Sequence, residues 1–378
     1  MASPEKQKYM MYNNMMYTVA SHLIEVKTGQ SFADFLKEKF FQPLGMTSTH
    51  LHLPSAQGWK DHMASGHQFD KASGTWSVFD IPYTPEAQGA GSIVTSSADY
   101  IKWVRAMLHR HAPISEASYK AVTQPRILIN PEDNEPSPFC SHQLYCLGWE
   151  TYHYRGHQVV IHEGLIDGFG SSHFFLPAHD FGAVILGNAD GIEQVCWILA
   201  RELIDAALDV PLAERPDWTY LQAAKLAKDS DAGNNGEDQL RELRIELSSG
   251  ERAEKPAPAL ETFVGTYSDV GYGVLRVEIR DGSLFIDAMD RGFRCTFTFE
   301  HVRTWEETGE CGNVAQRSSM TAHLHPLRGS PDEYLAAEFV SPAGGEEDGA
   351  QGRAVRMAIA LDPDTETIWF DRAEEDDL

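Results

Sequence analysis

Between residues 148 and 188 the chain alternates strand-like runs with tight polar turns and then enters a long amphipathic stretch. No other feature narrows the fold as much. Residues 148–154 and 158–162 flank an Arg155-Gly156-His157 turn, as the arms of a hairpin do. Residues 170–176 and 181–188 flank Pro177-Ala178-His179-Asp180. The helix that follows, over roughly 192–208, is expected to lay Val195, Leu199, Leu203 and Ile204 on the sheet. Consecutive antiparallel strands followed by a helix specify α+β, an antiparallel sheet with packed helices, and not a doubly wound parallel fold.

Helices are expected ahead of this block. Residues 17–28 place Tyr17, Ala20, Leu23 and Ile24 at helical spacing and stop at Gly29. Ser31-Phe32-Ala33-Asp34 reads as a capping box opening a second helix through Phe40, ended by Pro43-Leu44-Gly45. Residues 50–90 read as loop-rich. Thr95 to Asp99 starts a further helix to about Arg110, with Ile101, Val104, Met107 and Leu108 on one side.

A length of 378 residues suits two domains. Residues 228–259 are first polar and Gly/Asn-rich and then Pro/Ala-rich, as a linker is, with room for a short helix at Leu240, Leu243 and Leu247. Beyond it the texture turns to short strands: 273–280 and 283–288 about an Asp281-Gly282 turn, then 294–302, 321–327, 334–340, 354–361 and 366–370. That pattern predicts a small antiparallel barrel or sandwich. The expected division is 1–227, a linker over 228–259, and 260–378, ending in a solvated acidic tail.

Lys and Arg number 31 against 56 Asp and Glu, a net charge of −25. So acidic a surface repels phosphates and argues against nucleic-acid binding and against anionic membranes. No apolar run reaches the ~18 residues that cross a bilayer. The N-terminus shows no signal peptide. The five cysteines, Cys140, Cys146, Cys196, Cys295 and Cys311, are scattered and form no Cys-x-x-Cys pair. The expectation is a cytoplasmic, reducing environment with no disulfide framework, no metal and no cofactor.

Taken singly, the chemistry-bearing motifs are weak. Gly89-Ala90-Gly91-Ser92 means a tight bend. His162 at the end of a strand is more often a satisfied edge residue than a catalyst. Tyr12-Asn13-Asn14 before a helix reads as a cap. His109 and His111 at a helix end complement its dipole.

Together they resemble something specific. Residues 12–51, with Tyr12-Asn13-Asn14 and Pro43-Leu44-Gly45-Met46, resemble the second-motif region of the serine β-lactamase and penicillin-binding-protein family, in its class C-like branch. Residues 89–104 are similar to that family's Gly-rich turn and following helix start, and Leu147-Gly148-Trp149 to its Gly-Trp strand. His162-Glu163-Gly164, with residues 169–177 after it and Gly187-Asn188 closing the next strand, resembles the His-x-Gly third motif. The resemblance covers roughly residues 9–225. Residues 263–286, with a Gly-x-Tyr and a Gly-Tyr-Gly turn, resemble the lipocalin-like β-domain appended to many such hydrolases.

The resemblance implies acyl transfer through a covalent serine intermediate. Tyr12 would shuttle the proton, its phenol pKa lowered by nearby cations, and Asn14 would anchor polar groups. His162 and Gly164 would form the strand side, with the Leu165 N–H as one oxyanion donor. The implied partner is a small-molecule ester, amide or thioester acyl substrate, in some fungal members within natural-product pathways. A homo-oligomer through the C-terminal domain is a further implication.

The family's Ser-x-x-Lys nucleophile motif lies well upstream of Tyr-x-Asn, and here eleven residues precede Tyr12. The one match, Ser3-Pro4-Glu5-Lys6, is read as coincidence. Three expectations follow: an N-terminally incomplete active hydrolase, which is preferred; an inactive member that binds a ligand or partner; or one that works with a second polypeptide. A lipocalin-like binding module is the competing non-enzyme reading, although Phe285, Phe293, Phe297 and Phe299 look like core.

Overall fold

A computed structural model describes residues 10–52, 62–70, 73–81, 84, 87–129, 137–231, 236–249, 253–291, 294–308, 313–326, 333–342, 352–361 and 367–373. Ser3 to Lys6, Phe293, Cys311 and the acidic tail lie outside the described residues. The chain forms two compact units, Met1–Lys228 and Asp229–Leu378.

The first unit opens with α1 (Asn14–Thr28), capped by the Asn13 side chain accepting from the Met16 N–H and closed by Gly29 in the left-handed conformation. Ser31 caps α2 (Phe32–Leu36). The expected continuation to Phe40 is not α-helical: Lys37–Phe41 form a π-helical turn, with the Gln42 N–H bonded to the Lys37 carbonyl. The wider turn carries Phe41 into the core while its neighbour Phe40 packs edge-on against Trp103.

β1 (His50–Leu51) pairs with β4 (Ile93–Val94). Between them the region read as loop also holds a hairpin, β2 (Gly66–Asp70) and β3 (Thr75–Phe79). Ser96 caps α3 (Ser97–His109), and Ser115 caps α4 (Glu116–Thr123). Asp99 in the first turn of α3 binds the Ser48 N–H, the Thr49 hydroxyl and the Lys102 ammonium. These bonds fix Ser48 and Thr49 to α3, and Lys102 also donates to the Gly45 carbonyl of the Pro43–Met46 segment.

The central sheet has the order β10-β9-β8-β7-β6-β5, all antiparallel: β5 (Ile127–Leu128), β6 (Leu144–Tyr145), β7 (Glu150–Tyr154), β8 (His157–Ile166), β9 (Phe169–Leu176) and β10 (Phe181–Gly187). Its two faces are both covered, which is why Val159, Val160 and Ile161 are buried in succession instead of alternating. One face packs Val160, Phe175 and Trp149 with Val104 and Met107 of α3. The other packs Tyr152, Val159, Ile161, Phe174 and Leu176 with α5 (Ile192–Ala207) and Trp218 at the start of α6 (Trp218–Asp231).

Two expectations are corrected here. On α5 the sheet-facing stripe is Cys196, Ala200 and Ile204, while Val195, Leu199 and Leu203 are 46%, 43% and 37% exposed. Small residues let the helix approach the sheet closely, and the larger residues fall on its flank. His162 does not end its strand either: β8 runs on to Ile166 because β9 pairs with it up to the Asp167-Gly168 turn. Buried Asp205 ties the layers together, accepting from the Tyr154 hydroxyl at 2.6 Å and the Trp218 indole at 2.8 Å.

In the second unit α7 (Gly236–Ser248) lies within the stretch read as linker. It packs beside three of the strands that follow, with Arg244 paired to Glu300 and Arg303 donating to the Ser248 and Ser249 carbonyls. The strands form a closed antiparallel barrel: β11 (Gly265–Asp269), β12 (Gly273–Arg280), β13 (Ser283–Ala288), β14 (Cys295–Thr308), β15 (Val314–Pro326), β16 (Glu333–Pro342), β17 (Arg356–Ile359) and β18 (Ile368–Arg372). Tyr267, Phe297, Phe299, Phe339 and Phe370 fill its core, with Phe263 packed on Phe339. Eight strands enclose a space that side chains of this size occupy. The closing seam, β11 to β18, has two register pairs, Tyr267 with Arg372 and Ser268 with Asp371. Arg372 fastens it by donating to the Ala354 and Val264 carbonyls and to the Tyr267 hydroxyl, which itself donates to the Phe263 carbonyl. A Cβ on Gly265 would overlap the Arg372 guanidinium, which gives the Gly-x-Tyr pattern a physical reason.

Candidate functional site

The cap that starts α1 also presents Tyr12. The Asn13 cap turns the chain, so that Tyr12 precedes the helix and Asn14 is its first, exposed residue. The start of α1 is set against the rest of the unit at three places. The Tyr17 and Tyr145 hydroxyls are hydrogen-bonded at 2.9 Å. At Gly89 any Cβ would overlap the Tyr17 carbonyl, so the Gly-rich turn is a close approach to the α1 backbone as well as a bend. Gly148, with φ +70°, lies beneath the Tyr17 ring.

From the sheet, β8 brings His162 to the same place. The rings of Tyr12 and His162 are 6.5 Å apart between centroids, and Tyr145 stands 6.2 Å from each. His162 donates from Nδ1 to the Glu163 carbonyl at 2.6 Å. A carbonyl only accepts, so Nδ1 holds the proton and Nε2 of the neutral ring keeps a lone pair. Behind it lies His173, 6.2 Å away and boxed in by Trp149 and Tyr100 at 5.0 Å each. Burial, with a smaller effect of His162, drives the His173 pKa down to about 3, so this ring is neutral. Burial also lowers the pKa of His162, partly offset by its bond to Glu163.

Gly164 and Leu165 continue the strand. A Cβ at Gly164 would stand 2.7 Å from the Ser171 Oγ, so the strand is bare there. Leu165 is 63% exposed. β7 pairs with β8 only from His157 to Ile161, whereas β9 follows it to Ile166. The edge of residues 162–166 turned away from β9 therefore has no strand partner among the described residues.

The phenols lack the expected activation. Burial raises the Tyr12 pKa, and the charges of Tyr17 and Glu150 raise it further. The expectation that cations lower it is not met, since its described charged neighbours are anionic. Tyr145 is likewise pushed up by burial and by its bond to Tyr17. Glu150, cross-strand from Tyr145 and bonded by Gln143, is raised to about 7 by burial and by the charge of Glu163. Sequence reasoning missed Tyr17, Tyr145, Glu150 and His173. Tyr17 reads in sequence as a core position of α1, and the other three gain their place from sheet pairing alone.

A family model described as Beta-lactamase matches residues 2–204. The unguisins hydrolase ungD of Aspergillus violaceofuscus (strain CBS 115571) is 32% identical over 327 residues, covering 80% of this chain and 56% of that protein. Penicillin-binding protein 4* of Bacillus subtilis (strain 168) is 27% identical over 220 residues, covering 54% of this chain and 46% of that protein. The octameric penicillin-binding protein homologue from Pyrococcus abyssi superposes with a TM-score of 0.47 at 16% identity, covering 96% of this chain and 65% of that one. The chain thus spans about half the length of the curated relatives it matches.

Proposed function

The chain belongs to the beta-lactamase family, and from that premise we propose that it carries the Tyr/Asn/His side of a serine hydrolase or acyltransferase site for ester, amide or thioester acyl groups. The observation that carries this reading is the meeting of Tyr12 and His162, 150 residues apart in sequence, at one end of the open β8 edge. An extended acyl substrate would lie along that edge as an added strand, with Gly164 leaving it room. The Leu165 N–H would donate to the developing oxyanion, Asn14 would hold polar groups of the acyl side, and Tyr12 would relay the proton.

The serine and lysine of the reaction come, in this reading, from a Ser-x-x-Lys segment that joins this half. The lysine would also supply the positive charge that Tyr12 lacks, lowering its pKa. A relative named for hydrolysis of unguisins favours an acyl bond in natural-product metabolism as the target. The same reading takes 1–227 and 260–378 as separate domains, with first proteolytic cuts expected within 228–259, and assigns the barrel to self-assembly.

Intact-protein mass spectrometry after exposure to a reactive penicillin, an activated ester and a fluorophosphonate tests the proposal. The chain joined to a family Ser-x-x-Lys segment should acquire one adduct on that serine, and the chain alone none. An adduct on the chain alone that Ser3→Ala abolishes would restore Ser3-Pro4-Glu5-Lys6 as the nucleophile. Saturable probe binding without any adduct in the joined form would favour an inactive, ligand-binding member.

A further inference from the structure

On one side of the sheet unit a strand edge and a helix flank are both left open among the described residues. β10 has a strand partner on one side only, and its register with β9 is unbroken from Phe181 to Gly187. It reads Phe-Gly-Ala-Val-Ile-Leu-Gly, with no charge and no proline. Sheet edges left to water are normally guarded by a lysine, a proline, a bulge or a very short strand, and this strand has none of these. The helix flank is that of α5, where Val195, Leu199 and Leu203 are exposed.

The two surfaces lie on the same side. Trp197, Arg201 and Asp205 of α5 all meet Trp218 of α6: the Trp197 ring at 5.7 Å between centroids, the Arg201 guanidinium at 5.6 Å from the indole, and Asp205 through a 2.8 Å hydrogen bond. Trp218 in turn packs on Tyr154 of β7, so α6 stands toward β7. Residues two apart on a helix point about 200° apart, so Val195, Leu199 and Leu203 look the other way, past β10. The heights agree as well. The Ile192 side chain occupies the space of an absent Cβ at both Gly170 and Gly187, which sets the start of α5 astride β9 and β10. From there α5 runs back over β10, its Ala200 and Ile204 in one cluster with Phe181, Ala183 and Ile185. Leu199 is then about 10 Å along the helix from Ile192, and Val184 about 10 Å along the strand from Gly187. Leu199 is the centre of its stripe, and Val184 is the centre of its strand.

A single twofold axis, normal to the sheet beside Val184, therefore serves both surfaces. It sets β10 antiparallel to β10 of a second copy, with Ala183 opposite the copy's Ile185 and Phe181 opposite its Gly187. The same axis sets Leu199 against the copy's Leu199, and Val195 against its Leu203. A helix centred over the gap between β9 and β10 stands about 4.8 Å from that axis, so the two α5 helices come about 10 Å apart, within reach of packing. A twofold interface has to be self-complementary, and an uncharged strand and an apolar stripe that share a centre meet that condition. We propose that this chain pairs with a second copy of itself through β10 and α5, joining two six-stranded sheets into one. The proposal goes beyond the hydrolase reading, in which self-assembly is assigned to the barrel.

Sedimentation velocity of the full chain, from submicromolar concentration to about 200 μM, tests it. One strand seam and one helix flank make a small interface, so the chain should be monomeric at the lower end, with the α5 flank in water, and dimeric at the upper. Leu199→Glu brings two carboxylates together on the axis and should weaken the dimer at least about tenfold. Oxidative cross-linking checks the register, with the unmodified chain as the control for its own cysteines. Leu199→Cys should cross-link to itself. Leu203→Cys should not, yet should cross-link to Val195→Cys when the two variants are mixed. Amide hydrogen exchange over 181–187 should slow as the dimer forms. A chain that stays monomeric throughout would overturn the proposal. So would a dimer indifferent to Leu199→Glu, which would leave the barrel as the contact. Slow exchange over 181–187 in the monomer would overturn it too, since another segment of the same chain would then cover the edge.

Discussion

The two units of the chain complete themselves to different degrees. In the barrel every strand has a partner on each side, and Tyr267, Phe339 and Phe370 are almost wholly buried. In the sheet unit β10 has a strand on one side only among the described residues. Two helices there hold apolar stripes in water: Met15, Met16, Val19, Leu23 and Val26 on α1, and Val195, Leu199 and Leu203 on α5. Each such side chain would add roughly 1.5–3 kcal/mol if covered. A closed barrel satisfies its backbone and its core from one short stretch of chain. A layered sheet depends on polar clamps where its apolar faces run out, and in this unit those clamps are Asp205 and Asp99.

The comparison is open to attack at four places. Asp205→Ala should have the largest effect, because it leaves the Tyr154 hydroxyl and the Trp218 indole N–H buried without a partner. A loss of about 3–5 kcal/mol is expected in the sheet unit by denaturant titration, with the barrel transition unmoved. A shift of both transitions together would show that the two units fold as one. Arg372→Ala should cost the barrel about 2–4 kcal/mol by removing three bonds at its seam, two of them across it to Val264 and Tyr267, and Arg372→Lys should recover only part of this.

Asp99→Asn should cost the sheet unit about 1–3 kcal/mol at neutral pH. Burial alone would raise the Asp99 pKa, but the bonds from Lys102, Ser48 and Thr49 bring it below the ordinary value. A folded pKa below the unfolded one means that the contribution is complete above about pH 4 and is lost as pH falls through the folded value. Stability curves of the two proteins should therefore converge in acid. The smallest effect belongs to Leu199→Glu, expected within about 0.5 kcal/mol of the unmodified chain because the side chain is already in water. Binding of an apolar fluorescent dye should nevertheless fall. A large destabilisation would mean that the α5 flank is covered after all.

Much of the local structure was legible. Asn13, Ser31, Ser96 and Gly29 act through bonds to neighbours three or four residues away, so the caps could be read from the chain. The antiparallel strands and the α+β class followed from turn chemistry in the same way. The hairpin β2–β3 was not visible, because its arms mix His67, Gln68, Thr75 and Ser77 with too few apolar residues to alternate clearly. The burial of α5 was misjudged because Val195, Leu199 and Leu203 form as good a helical stripe as Cys196, Ala200 and Ile204. Closeness of approach decided between them, and that is a property of the sheet. The placement of Tyr12 and His162 in one site came from family resemblance, and their protonation from neighbours such as Glu150 and His173, which only the folded sheet assembles.

The bare Cα of Gly89 against the Tyr17 carbonyl has a consequence for how such a chain can vary. Leu51 and Ile93 pair across the mouth of the intervening excursion, so residues 52–92 leave and return at one point. Added length between those anchors costs closure entropy only logarithmically, about 0.6 kcal/mol for each doubling. Length added in this excursion away from Gly89 and from the β2 bonds to Asn188 and Asp190 leaves the start of α1 in place. A single methyl group at position 89 would press on the Tyr17 carbonyl of α1, the helix whose start Tyr12 precedes. The fold there has room for length between its paired anchors and none for a side chain at one glycine.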